Sequence, residues 1–266
     1  MIEAVKAVLK AHLTAELIRS HGFVYGLLSM AMWMLLFIAP IMLFTPPDVD
    51  KGIIAGYAFT AILVFMSYNM ATWDWAWELR GLMRSGIFEY IVTSGRSIFI
   101  LYLGVVPVSL TWLALALTEV YVLLAIVFTS PAFQISNPLL LLYGILLLGI
   151  VLFAHSMILG ATTIATGTSG PVMEAISWVL PIATGGLVPL IRMPELVQLI
   201  ALCTPYSYPA EVIRYYLLGT PTVLPIEQTL LYGGIYAIIF LVVSLLYFKI
   251  QLKKVFKEGP KTIGMY

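Results

Sequence analysis

Six stretches of about twenty or more mostly apolar residues recur along the chain, at 24–44, 52–72, 98–129, 138–166, 172–191 and 229–248. A hydrocarbon core of roughly 30 Å takes about 20 helical residues to cross, so runs of this length and number predict an all-α polytopic membrane protein with six transmembrane helices. Composition points the same way: 61% of the 266 residues are apolar, 10% are charged, and mean hydropathy is +1.01. An ordinary water-soluble domain does not have that balance. Six spans use up most of the chain, which leaves a single transmembrane domain, residues 1–266, and no room for a folded soluble one.

The runs are not alike. Residues 98–129 would measure about 48 Å as one helix, too long to cross upright, and Pro107 is placed to kink it. The stretch 172–191 carries Pro181, Gly185, Gly186 and Pro189, which predicts a broken or bent span. Residues 192–225 remain apolar but are interrupted by Pro194, Pro205, Pro209 and Pro221, so they read as two short half-helices entering the membrane from one side. Glu211 and Arg214 stand three apart within them, close enough on a helix to pair; the pair either orders a gate or only neutralises two charges near lipid. Residues 1–22 set Ile2, Val5, Leu9, Leu13 and Leu17 against Lys6, Lys10 and Thr14, the stripe of a helix lying in the membrane plane.

Trp73, Trp75 and Trp77 end the second run and read as an interfacial aromatic belt. After them comes a polar island, 78–96, ELRGLMRSGIFEYIVTSGR. As a helix it puts Leu79, Leu82, Met83, Ile87, Tyr90 and Ile91 on one side and Arg80, Arg84, Ser85, Glu89 and Thr93 on the other. Such a segment either links two spans along the interface or receives a partner.

Lys and Arg are unevenly shared between alternate loops. Lys6, Lys10, Arg19, Arg80, Arg84, Arg96 and the tail Lys249, Lys253, Lys254, Lys257 and Lys261 make eleven on one side, against Lys51, Arg192 and Arg214 on the other. The cytoplasmic side carries the excess, so both termini and the island are expected there, in a multi-pass protein of the cell membrane. Net charge is only +1, and nothing in its distribution points to nucleic acid. The single cysteine, Cys203, excludes an intrachain disulfide framework and cannot build a metal site alone.

Two blocks resemble the type-2 permease subunits of ABC exporters. In the first, Glu78 stands early, Gly86-Ile87-Phe88-Glu89 takes the place of the family's Gly-Thr-Leu-Glu-like turn, and Thr93 to Arg96 reads TSGR, with Ser94 where the family has proline. In the second, Gly186-Leu187-Val188-Pro189 is followed by Met193-Pro194, then by Thr204-Pro205-Tyr206-Ser207-Tyr208 with Glu211 and Arg214. The resemblance implies a cytoplasmic coupling helix over 78–96, with Glu78, Arg80, Arg84, Gly86, Glu89, Thr93 and Arg96 meeting an ATPase. It also implies an external gate of re-entrant half-helices containing Pro189, Pro194, Pro205, Tyr208, Glu211 and Arg214.

The chain has no G-x-x-x-x-G-K-[ST] phosphate loop, so ATP and magnesium would belong to separate ATPase subunits and the chain itself would need no cofactor. The implied assembly is two permeases, as a homodimer by preference, with two cytoplasmic ATPases, embedded in membrane lipid. It would export an amphipathic or lipophilic substrate, or alternatively a lipid-linked polysaccharide, and be no enzyme in its own right. From other classes, an intramembrane lipid-modifying enzyme using His155, Glu119 or Glu174, or a passive channel, remains as a rival reading. His155 within the fourth run reads either as a hydrogen-bonded core residue or as part of a polar pathway.

Overall fold

The computed structural model describes residues 2–46, 48–95, 98–166 and 170–258. Among them every regular element is helical, and five helices are long and apolar enough to cross a membrane. By length and composition this is a multi-pass membrane protein. Arg96, Lys261 and most of the turn expected at 167–171 lie outside the described residues, as does Pro47.

The chain begins with α1 (Ile2–His12), which continues as a π-helical turn, Leu13–Ile18. The first membrane-length helix, α2 (His21–Leu43), starts where Ser20 Oγ accepts the N–H of Gly22 at 3.1 Å. This is the capping that a serine just outside a helix supplies to the orphan amides of the first turn. The second is continuous from Lys51 to Met83. It runs as α3 (Lys51–Asn69), a π-helical segment Met70–Ala76, and α4 (Trp77–Arg84). After α5 (Ile87–Thr93) come α6 (Phe99–Leu123), with Pro107 inside it, and a terminal π turn, Leu124–Phe128.

The fourth expected run becomes α7 (Pro138–Thr166) with the same bounds. Asn137 Oδ1 accepts the amides of Leu139 and Leu140 at 3.1 and 3.2 Å, while Pro138 occupies the first helical position, where its missing N–H costs nothing.

The fifth expected run differs. Its helix, α8, covers only Gly170–Ala183. Fourteen residues rise about 21 Å, short of a full crossing. The helix stops because the chain turns at Gly185, whose φ of +78° is open to glycine and strained for other residues. The amide of Leu187 then closes back on the carbonyl of Pro181 at 3.1 Å. A 3₁₀ turn, Leu190–Arg192, leads into α9 (Glu195–Leu202) and α10 (Ser207–Leu218), the two short helices expected in 192–225. The last helix, α11 (Ile226–Glu258), extends well beyond the expected 229–248.

Two compact units divide these elements. One comprises Met1–Phe59 and Ile87–Ala132, the other Thr60–Gly86 and Phe133–Tyr266. In the first, α1 packs against α6. A Cβ on Gly104 would stand 2.3 Å from Val8 Cγ1, so the two backbones meet where that side chain is absent. In the second, α7 is central: α11, α10, α4 and the π-helical segment Met70–Ala76 all pack on it.

Candidate functional site

The polar island is not one helix. It breaks at Ser85–Gly86, where Gly86 has a φ of +70°, into α4 and α5. The amides of Ser85 and Gly86 close on the carbonyls of Gly81 and Met83, so α4 ends in an ordinary hydrogen-bonded turn. The boundary between the two compact units falls at the same place: Glu78, Arg80, Arg84 and Gly86 belong to one, Glu89 and Thr93 to the other.

Within α4, Leu79, Leu82 and Met83 are buried, as the apolar stripe requires. Arg80 is a departure from the expected polar face. It is 5% exposed, and its guanidinium lies 4.6 Å from the Trp77 ring centroid, a cation–π contact between residues three apart. The i, i+3 spacing in the sequence could have shown this. Glu78 is half-buried. On α5, Ile87, Tyr90 and Thr93 are exposed, and the Thr93 hydroxyl donates to the carbonyl of Tyr90 at 3.1 Å. Tyr90 is 74% exposed.

Of the three tryptophans expected to form an interfacial belt, the middle one is a core residue and the outer two are half-buried. Trp75 is 2% exposed. Trp73 and Trp77 lie with ring centroids 5.3 Å apart and pack on a cluster of Ala76, Leu159 and Met173, drawn from the π-helical segment, α7 and α8. The π-helical winding brings these side chains to packing positions that a straight α-helical projection does not show.

The expected gate residues come together in the second unit. Arg214 is 1% exposed in α10 and donates from both terminal nitrogens, Nη1 to the carbonyl of Gly185 and Nη2 to that of Gly186. It thereby holds the bend that ends α8. Glu211, one turn earlier and 3% exposed, accepts the amide of Leu190 at 3.4 Å through Oε1 and that of Val223 at 3.3 Å through Oε2. The two charges attract each other. Their hydrogen bonds, however, reach outward to backbone of the α8 bend, the 3₁₀ turn and the loop before α11.

Pro189 and Pro194 bracket the 3₁₀ turn, and Pro205 lies between α9 and α10. Tyr208, 2% exposed, stacks on Tyr236 at 5.4 Å and 21°, and its hydroxyl donates to the carbonyl of Leu202 at 2.7 Å. α10 is also tied to the connection before α7: the amides of Gln134 and Ser136 donate to the carbonyls of Leu217 and Tyr216 at 2.8 and 3.0 Å.

His155 is a hydrogen-bonded core residue. Nε2 is 3.2 Å from Thr72 Oγ1 and Nδ1 is 3.1 Å from the Tyr206 hydroxyl, so both ring nitrogens are engaged. Glu174, on α8, accepts the indole N–H of Trp178 at 2.9 Å. Glu119, on α6, has a carboxylate oxygen that is buried without a hydrogen-bond partner among the described residues. Glu119 belongs to the first unit and the other two to the second. Among the described residues no three His, Cys, Asp or Glu side chains gather as a metal site would require.

Compared with known proteins, the chain matches no family model and no curated relative.

Proposed function

We propose that the chain is the membrane-spanning permease subunit of an ATP-driven exporter of the ABC type, powered by separate ATPase subunits. The observation that carries this reading is the pair α4–α5. α4 closes a membrane-length helix, and α5, the seven-residue helix after it, leaves Ile87, Tyr90 and Thr93 open. An apolar side chain and an aromatic one, exposed beside a polar segment, are the anchors a protein partner uses. α4 and α5 are consecutive in the chain, so an ATPase gripping them pulls directly on the membrane-length helix that contains α4. Different grip in two ATPase states is then a differential contact free energy that favours one access state over another.

In this reading Glu78, Arg84, Glu89, Thr93 and Arg96 meet the ATPase with Ile87 and Tyr90. Arg80, buried over Trp77, sets α4 rather than touching the partner. The bend after α8 with α9 and α10 forms the outer gate, held shut or open as a body by Arg214 and Glu211, and together with a bent α8 it completes a sixth crossing. Both termini and α4–α5 face the cytoplasm, in keeping with the distribution of Lys and Arg. Two copies of the chain and two ATPases make the working complex, and the substrate class is amphipathic or lipophilic.

Weighing the intact complex extracted from its native membrane in mild detergent tests this. A particle of two permeases and two ATPase chains is expected. The chain alone, or only with itself, would contradict the reading. Glu89→Ala or Arg84→Glu should leave the protein in the membrane while uncoupling transport from ATP hydrolysis.

A further inference from the structure

The segment Met70–Ala76 is wound as a π-helix between two α-helices, α3 and α4. Such segments carry an extra residue within the turn and re-aim everything that follows. At 3.6 residues per turn, moving the register by one residue rotates the next helix by about 100°. The side chains buried from this segment and the start of α4, Thr72, Trp75, Ala76, Leu79 and Arg80, are thus buried together only in this register. Something must favour the π winding over its α-helical alternative.

Thr72 is the polar residue inside the segment that is fully buried, and its Oγ1 lies 3.2 Å from His155 Nε2 on α7. The other ring nitrogen, Nδ1, lies 3.1 Å from the hydroxyl of Tyr206, at the elbow between α9 and α10. Tyr206 is held at its other end as well: its carbonyl accepts the hydroxyl of Tyr68 at 3.1 Å. Its ring packs edge-on to His155 at 5.6 Å and to Phe240 at 5.3 Å. A neutral imidazole has one donor and one acceptor, and threonine and tyrosine hydroxyls can each supply the complementary role, so either tautomer satisfies both bonds. Aliphatic replacements of similar size would fill the space and leave a buried hydroxyl at each end without a partner, which costs more than the bond itself is worth.

We propose that Thr72, His155 and Tyr206 form a positioning relay in which the register of the π-helical segment, and with it the setting of α4, is fixed by the same imidazole that fixes the α9–α10 elbow. A change in either end is then felt at the other through one ring. In an exporter this links the ATPase-facing helix to the gate, but the relay itself is a property of this chain and its test needs no partner.

Hydrogen exchange of the full chain in lipid nanodiscs, read by mass spectrometry over 70–84 and over 202–208, tests it. Thr72→Val deletes one hydroxyl with little change of shape, and Tyr206→Phe deletes the other. Each is expected to speed exchange about five-fold or more in both segments, since a hydrogen bond of this kind is worth about 1 kcal/mol. The double variant should exceed either single variant by little. Faster exchange confined to the substituted segment, with independent effects in the double variant, would overturn the relay. If Thr72→Val does not fold, Thr72→Ser keeps the hydroxyl and loses the methyl. It should then exchange at 202–208 as the unaltered chain does, and faster exchange there would equally count against the proposal. Failure of the relay leaves the native mass of the complex unaffected, and a chain without ATPase partners leaves the exchange coupling intact, so the two readings fail separately.

Discussion

Two helices of nearly the same character, α2 and α7, have different fates. Both are membrane-length and almost wholly apolar, yet 12% of the most apolar window of α2 is buried within the chain against 44% for α7. Hydropathy does not distinguish them. What does is the distribution of small and polar residues. α7 presents Gly144, Ala154, His155, Ser156, Ala161 and Thr163 to its neighbours, whereas α2 exposes Val24, Tyr25, Leu28, Met32 and Leu36. Lipid tails are as apolar as leucine, so helices in a bilayer associate where backbones approach closely and side chains hydrogen-bond across the gap, not where they are greasiest. α7 organises its unit for that reason, while α2 offers a face suited to lipid or to another protein.

Substitutions can break or sharpen this contrast, and thermal unfolding of the purified protein in detergent reads them all. The largest effect is expected from Arg214→Ala in α10, which packs on α7. It leaves the carbonyls of Gly185 and Gly186 buried without their donor and Glu211 without its nearest opposite charge, a loss of about 3–5 kcal/mol. Removing both charges as Glu211→Gln with Arg214→Met should recover only part of this, because the charges bond backbone of three different segments. Full recovery would show that charge balance is all they provide.

Next comes Leu147→Ala on α7, where the side chain is 3% exposed in a cluster with Val151 and Ala237; about 2–4 kcal/mol should be lost. Gly144→Ala follows. Its Cβ would stand 2.8 Å from Val212 Cγ1 and 3.3 Å from the amide nitrogen of Ile213, so α7 and α10 must part, at about 1–3 kcal/mol. The matching change on α2, Gly26→Ala, meets only Trp112 at an ordinary 3.7 Å and should be neutral or slightly stabilising. Leu36→Ala on α2, at 71% exposure, should change stability least, within about 0.5 kcal/mol. If the two α2 variants cost as much as their α7 counterparts, the contrast fails.

Much of the architecture is legible in the sequence. Asn137-Pro138 marks the start of α7 to the residue because a cap and a first-turn proline are local signals. Pro181, Gly185 and Gly186 announced a broken fifth run, though not that the helix would stop at Ala183, which depends on Arg214 reaching back 28 and 29 residues. The Glu211–Arg214 spacing points to the two residues and to their mutual attraction, but not to the backbone groups that each also bonds. The π-helical winding of Met70–Ala76 had no signature, since it is tied to Thr72 meeting a histidine 83 residues away. The same distance hid the relay through His155. Helical projection alone puts Arg80 on the polar face, whereas Trp77, three residues before it, offers a ring that covers it.

The central claim, that α4–α5 is where an ATPase takes hold, is tested most directly by weighing the native complex of the unaltered chain beside that of Ile87→Glu with Tyr90→Glu. The account predicts two ATPase subunits per two permeases for the first and permease without ATPase for the second, with both chains equally abundant in the membrane. ATPase retained by the double variant, or absent from both, would contradict it.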